Sequence, residues 1–224
     1  MLTVHHLNNS RSQRILWLLE ELGVPYEIKF YERDKETMLA PPELKKIHPL
    51  GKSPVVTDGD HVLAESGAIV EYLVNKYGAE KLRPAAGTPE SLKFTYWLHF
   101  AEGSAMPPLL LSLIFMKIET SPMPFFVKPI AKAISSKVKK TFIGPQLKTI
   151  FDFIEGELTK TKWFAGNNFS AADIQMSFPL EAAKTRGVLT PGTHPKSLAY
   201  LEAIHKSATY LKALERGGPY DFSH

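Results

Sequence analysis

A small α/β domain followed by a larger all-α domain is the fold class that this sequence predicts. Three observations carry the prediction. The first eighty residues mix strand and helix periodicity, a proline- and glycine-rich stretch interrupts the chain at 81–91, and everything beyond it repeats with helical spacing.

In the first part the order reads β-α-β-α-β-β-α. "LTVHHL" is a short strand from Leu2 to Leu7. "SQRILWLLEELG" is a helix whose Ile15, Leu16, Leu18, Leu19 and Leu22 share a face and whose Gly23 is a C-terminal stop. "PYEIKFYE" alternates like a strand, with Tyr26, Ile28 and Phe30 on one face. "PPELKKIHP" is a short helix opened by prolines. "SPVVTDGDHVLAES" is a hairpin turning at Asp58-Gly59-Asp60, and "ESGAIVEYLVNKYG" is a helix ending at Gly78. The predicted domains are 1–80 and 89–224, joined by a linker over 81–88. The second holds five helical stretches, beginning with "ESLKFTYWLHFAEGSAMPPLLLSLIFMKI" and ending with "KSLAYLEAIHKSATYLKALERG".

Composition excludes several functions. The 224 residues, 44% hydrophobic and 22% charged, suffice for an ordinary globular core. The chain has no cysteine, which rules out disulfides, thiolate metal sites and a cysteine nucleophile, and fits a reducing compartment. No run of about 18 uncharged apolar residues predicts a membrane span, and the first residues lack the sections of a signal peptide. The net charge of +4 gives no nucleic-acid footprint. Only "KPIAKAISSKVKK" (128–140) is basic without acids; it reads as a solvated helix face, with an anionic membrane surface as the alternative. His5 and His6 lie in the first strand and read as packing. No metal site is expected.

One constellation describes a ligand. Pro54 precedes a strand, where a cis bond to Ser53 would turn the chain and face the Ser53 backbone outward. Ser66 can cap the next helix, whose first N–H groups suit a carboxylate. Glu65 could receive an ammonium group, and Lys52 a second carboxylate. Together Lys52, Ser53, Pro54, Glu65 and Ser66 suit a peptide with an amino-acid head at one end and a carboxylate at the other.

The motif "HPLGKSPVV…LAESGAIVEYL" resembles the thioredoxin-like domain of cytosolic glutathione transferases, and "FSAADIQMSFPL" (169–180) resembles the folding motif of their helical domain. With "RILWLLEEL" and "WLHFAEGSAMPPLL", the match is similar to a fungal and bacterial subgroup and covers nearly the whole chain. The resemblance implies a thioredoxin-like domain before an all-helical one, and glutathione as co-substrate with no other cofactor. Lys52 would meet its glycine carboxylate, Ser53 its cysteinyl backbone through cis-Pro54, and Glu65 and Ser66 its γ-glutamyl head.

The family activates the bound thiol with a Tyr, Ser or Cys just after the first strand. Here Ser10 stands four residues before Arg14, the spacing of the serine classes, so Ser10 is the catalytic candidate. A free thiol has a pKa of about 8.5, and hydrogen bonds to the thiolate lower it. Ser12, directly before the helix, reads as its N-cap and as the rival donor; Asn8, Asn9 and Arg11 stay open as sulfur contacts. Met106, Leu110, Ile114 and Phe115 are available for an apolar electrophile site and equally fit the core, and Glu102 and Ser104 are available for the glutathione pocket or a dimer partner. Ser170 and Asp173 read as a capping box rather than a catalytic pair. The implied activity is transfer of glutathione to electrophilic small molecules by a cytoplasmic homodimer acting in detoxification. The alternatives are glutathione-dependent reduction of peroxides or disulfides, and a non-catalytic ligand-binding module.

Overall fold

The computed structural model describes residues 1–223. Four strands form one sheet in the order β2-β1-β3-β4, where β1 is Leu2–Leu7, β2 Glu27–Tyr31, β3 Val55–Asp58 and β4 His61–Ala64. Strand β1 runs parallel to β2, with Thr3 opposite Glu27 and Leu7 opposite Tyr31, and antiparallel to β3, with Leu2 opposite Asp58. A parallel pair needs a crossover, which helix α1 (Ser12–Leu22) supplies. Its Ile15, Leu16, Trp17, Leu18 and Leu19 are buried against the sheet and the helical domain. Gly23, at φ +69°, ends it: the Val24 N–H reaches the Leu19 carbonyl at 3.2 Å and the Gly23 N–H the Glu20 carbonyl at 3.3 Å.

The face predicted for β2 is only partly buried. Tyr26 is buried and Ile28 half-buried, but Phe30 is 59% exposed. β2 is an edge strand, so nothing covers its far end; the Phe30 ring meets His6 edge-on at 5.7 Å. Tyr31, on the opposite face, is buried with Leu7 and Leu44, the latter from α2 (Pro42–Lys45).

Helix α3 (Ser66–Tyr77) closes the first domain. A short α4 (Ala79–Leu82) occupies the start of the predicted linker, and residues 83–88 are irregular. Beyond it lie α5 (Pro89–Phe100), α6 (Met106–Thr120), α7 (Lys128–Val138), α8 (Gly144–Lys160), α9 (Ala171–Thr185), α10 (Pro195–His205) and α11 (Ala208–Gly217). Apart from an isolated bridge between Trp163 and Gly166, the described residues of this part contain no strand pairing.

Helices α5 and α6 form one continuous rod through a π turn at Ala101–Ala105, and a second π turn, Lys139–Ile143, joins α7 to α8. Each ends two residues before a proline: Met106 bonds back to Ala101 ahead of Pro107, and Gly144 to Lys139 ahead of Pro145. A proline lacks its N–H and crowds the carbonyl four residues back, and a widened turn accommodates both. The rod Pro89–Thr120 is long and apolar enough, by length and composition, to cross a membrane, unlike the expectation from uncharged runs. Its Phe94, Trp97, Leu98, Ala101, Ala105 and Leu109 are nevertheless buried, while Leu92, Tyr96, Leu110, Ile114 and Met116 are exposed.

Helix α9 is the centre of that core, buried from Ala171 to Ala183. The capping box of Ser170 and Asp173 starts it. Asp173 accepts from the Ser170 N–H at 2.9 Å, the Ser170 hydroxyl at 3.0 Å and the Phe164 N–H at 2.9 Å. Its carboxylate thereby ties the loop before α9 to the helix start.

Candidate active site

Where β1 gives way to α1, the loop Asn8–Arg11 is gripped from three sides. Arg33 donates to the carbonyls of Asn8 and Asn9, each at 3.2 Å, and its N–H donates to the Asn8 side chain at 2.9 Å. From the C-terminal tail, Asp221 exchanges two bonds with Asn9: the Asn9 amide donates to its carboxylate at 2.7 Å, and the Asp221 N–H donates back at 2.9 Å. Asn9 sits at φ +48°, a left-handed conformation that asparagine tolerates better than most side chains. From the helical domain, Glu102 accepts from Arg11 Nε at 3.0 Å.

Ser10 lies at the centre of this loop, 4% exposed. Its hydroxyl is 2.7 Å from that of Ser12 and 3.3 Å from that of Ser53, and it accepts from the Ser12 N–H at 3.2 Å. The cap assignment from sequence is therefore corrected. Ser12 is the first residue of α1, and its hydroxyl turns back to β1, accepting from the Leu7 N–H at 3.2 Å and pairing with His6 Nδ1 at 2.9 Å. The helix starts one residue early because Arg11 already has helical angles, which leaves Ser10 to hold the free N–H. Burial pulls the His6 pKa down to about 4, so the imidazole is neutral near pH 7. A connected line runs from His6 through Ser12 and Ser10 to Ser53.

Ser53 reaches this point because β3 pairs with β1 and the Ser53–Pro54 peptide is cis. Lys52, beside it, is exposed and has no hydrogen-bonding or ion-pair partner among the described residues. Glu65 is exposed at the start of α3 with φ +66°, a sterically costly conformation for a non-glycine residue. The expected cap of Ser66 is also corrected: Ser66 is already the first helical residue, and its hydroxyl accepts from Arg14 instead.

Arg14 joins the two domains. Fully buried, it donates to Ser66, to Glu102 and to the Gln175 carbonyl. Burial alone pushes the Glu102 pKa up, but Arg14 and Arg11 outweigh it and hold the carboxyl below its ordinary range. Both guanidiniums lie over the Phe178 ring, Arg11 at 5.0 Å and Arg14 at 5.7 Å. Asn9 and Arg11, left open above as sulfur contacts, have their side chains engaged by Asp221 and Glu102.

Between the domains is a cavity of about 440 Å³ lined by Glu65, Gly67, Glu71, His99, Glu102 and Gln175, among others. Gln175 is wholly buried, and both its side-chain oxygen and nitrogen lack a partner. Sequence reading missed it because α9 reads as core throughout. A larger cleft of about 610 Å³, lined by Lys81, Arg83, Asn167 and their neighbours, contains the capping residue Ser170 but none of the residues predicted for catalysis or glutathione binding. The apolar candidates divide: Met106 is buried in the core, whereas Leu110 is 50% exposed, Ile114 exposed and Phe115 half-buried. Of the two readings open for these residues, wall of an apolar site or core, Met106 takes the core one. No cluster of three or more metal-ligating side chains occurs among the described residues.

The family described as "Glutathione S-transferase, N-terminal domain" matches residues 1–75, and "Glutathione S-transferase, C-terminal domain" matches residues 120–208. The chain belongs to the glutathione S-transferase family. It is 36% identical to glutathione S-transferase 1 of Saccharomyces cerevisiae over 96% of this chain and 95% of that protein. A glutathione S-transferase structure from Actinobacillus pleuropneumoniae is similar at 34% identity and TM-score 0.77, covering 100% of this chain and 96% of the other. A glutathione transferase of Phanerochaete chrysosporium in complex with oxidized glutathione shares the fold, at 22% identity and TM-score 0.76 over 96% of both chains. The four-stranded sheet and helical second half described above are thus the glutathione S-transferase architecture.

Proposed function

We propose that this chain is a glutathione transferase that uses Ser10 to stabilise the thiolate of bound glutathione. The observation that carries the reading is the convergence of the Ser10 and Ser53 hydroxyls, 3.3 Å apart; the cavity lined by Glu65 and Glu102 offers polar groups for the γ-glutamyl head. Glutathione carries an ammonium and a carboxylate at its γ-glutamyl head, a thiol in the middle and a second carboxylate at its glycine. Glu65 takes the ammonium, and the first N–H groups of α3 with Ser66 take the head carboxylate. The Ser53 backbone pairs with the cysteinyl unit, and unpartnered Lys52 takes the glycine carboxylate.

The Ser10 hydroxyl then donates to the sulfur; as for any anion that accepts a hydrogen bond, the charged form is favoured and the thiol pKa falls. The thiol proton leaves to solvent. The sulfur lone pair forms a C–S bond to an electrophilic carbon, and the leaving group departs with its bonding electrons. The neutral His6–Ser12 pair behind Ser10 holds the hydroxyl in place. The reading implies a cytoplasmic homodimer that detoxifies electrophiles, with glutathione and the electrophile as its small-molecule partners.

The test is retention on immobilised glutathione followed by conjugation of an aromatic halide. Retention, elution by free glutathione and release of halide support the reading. Failure to bind glutathione overturns it; binding with turnover of hydroperoxides alone replaces transfer by reduction.

A further inference from the structure

The hairpin of α6 and α7 ends in a surface that the proposed transferase site does not use. At its tip, Phe125 is 86% exposed and Phe126 65% exposed, between Pro124 and Pro129. Along α7, Ile130 and Ile134 are exposed at 60% and 56%, so Phe126, Ile130 and Ile134 continue one stripe at four-residue spacing. Buried Ser135 marks the side of α7 that faces the protein. Lys128, Lys132 and Lys139 repeat about half a turn away from the apolar stripe. Lys137 stands close to the stripe's end.

The charge around this stripe has one sign. Residues 120–151 contain no aspartate or glutamate. Lys139 pairs with Glu119 at 2.7 Å. Lys128, Lys132, Lys137 and Lys140 are exposed and form no ion pair among the described residues. Singly exposed apolar side chains are ordinary on a protein surface, but two adjacent phenylalanines heading an amphipathic, acid-free helix are not. An aqueous exterior gives this arrangement no favourable contact. A second copy docked stripe to stripe would bring Lys137 and its counterpart together around a two-fold axis with no acid of this segment between them.

We infer that the tip at Phe125–Phe126 and helix α7 dock on an anionic lipid surface. The phenylalanines and isoleucines enter the headgroup–acyl boundary; Lys137, beside the stripe, meets lipid phosphates and carboxylates along its aliphatic stem, and Lys128 and Lys132, on the far side of the helix, add to the positive field that draws the segment to an anionic surface. Attachment is peripheral and reversible, because one short helix and two aromatic rings give far less affinity than a spanning segment. Apolar electrophiles dissolve in membranes, so this contact would place a conjugating enzyme where such compounds accumulate. That last consequence and the conjugation control below rest on the transferase reading; the vesicle binding itself does not.

Sedimentation with vesicles tests the docking directly on the full-length chain. Vesicles of equal parts phosphatidylserine and phosphatidylcholine are expected to carry the protein down at least about tenfold better than phosphatidylcholine alone, with release as salt is raised. The double variant Phe125→Ser/Phe126→Ser and the triple variant Lys128→Glu/Lys132→Glu/Lys137→Glu should each lose most of that binding. Both should conjugate a water-soluble aromatic halide at the unaltered rate, which separates loss of docking from loss of fold. A wild-type protein that stays in solution with anionic vesicles overturns the inference, as does binding indifferent to both variants. Conversion of a dimer to monomers by the double variant, without vesicle binding by the wild type, gives the surface to a second copy and also overturns it.

Discussion

The Ser10 hydroxyl lies 2.7 Å from the Ser12 hydroxyl, in hydrogen-bond contact, yet their other partners differ: Ser10 accepts the Ser12 N–H and approaches Ser53, while Ser12 serves Leu7 and His6. Their substitutions should therefore separate. Ser10→Ala is expected to lower kcat for conjugation by about a hundredfold, in the range seen when one donor to a developing anion is removed. The ultraviolet absorbance of bound thiolate should fall with it. Ser12→Ala leaves the buried Leu7 N–H without its acceptor and should cost about 1–3 kcal/mol of stability, with a smaller loss of rate. Equal kinetic defects in the two variants, measured alongside chemical denaturation, would remove the distinction between donor and support.

Asn9 and Asp221 are 212 positions apart in sequence and share two hydrogen bonds. That pair makes the C-terminal tail a strap on the loop carrying Ser10. Asp221→Ala removes the carboxylate bond from Asn9 but keeps the one from the residue-221 backbone N–H, and should cost only about 1 kcal/mol in stability, because the bond is exposed. It should nevertheless lower kcat/KM several-fold, because Asn9, at φ +48°, then keeps only one of its two ties to the tail. Steady-state kinetics and a thermal melt on the same preparation check this; unchanged kcat/KM would leave the strap without a role in the site.

Local patterns made much of this legible beforehand. The order of the first seven elements follows from periods of 2 and 3.6 and from Gly23 and Asp58-Gly59-Asp60 as stops, all of which act within a few residues. The convergence of Ser53 with Ser10 was reachable only through the family resemblance, since no spacing rule brings positions 43 apart together. The Asp221 strap, the Arg14–Glu102 link and the orphaned Gln175 were not legible. Each depends on how the helical domain sits against the sheet, and the sequence signal at Gln175 was simply that of a core helix. The caps at Ser12 and Ser66 failed for a related reason: a side chain offered tertiary partners, His6 or Arg14, leaves the local one.

Asp173 gives a pH dependence with a definite sign. Complete burial raises its pKa from 3.8 to about 7, against the pull of the donors on Phe164 and Ser170. In the folded chain this group holds its proton to a higher pH than in the unfolded chain. The unfolded state therefore binds fewer protons between about pH 4 and pH 7, and stability falls as pH rises through that window. Denaturant unfolding of the wild type across this range should show the decline, and Asp173→Asn, which cannot titrate, should flatten it. A wild-type stability that climbs over the same window through the other carboxylates, with an identical slope in the variant, would show that Asp173 is ionised throughout.

Gln175 presents the sharpest conflict between stability and the proposed activity. Its side chain is wholly buried, neither polar end has a partner, and it lines the cavity beside Glu65 and Glu102. A buried amide without partners costs free energy, and an apolar side chain of similar size removes that cost. Gln175→Leu should therefore leave the fold as stable as before or raise its Tm. If the cavity receives the γ-glutamyl head, the same change removes a hydrogen-bonding group that only the ligand satisfies. KM for glutathione should then rise about tenfold, the loss of one or two hydrogen bonds, while kcat at saturating glutathione stays near the wild-type value. A variant with higher Tm and unchanged KM would mean that the glutathione head lies elsewhere, and one with lower Tm that the amide has partners in solution.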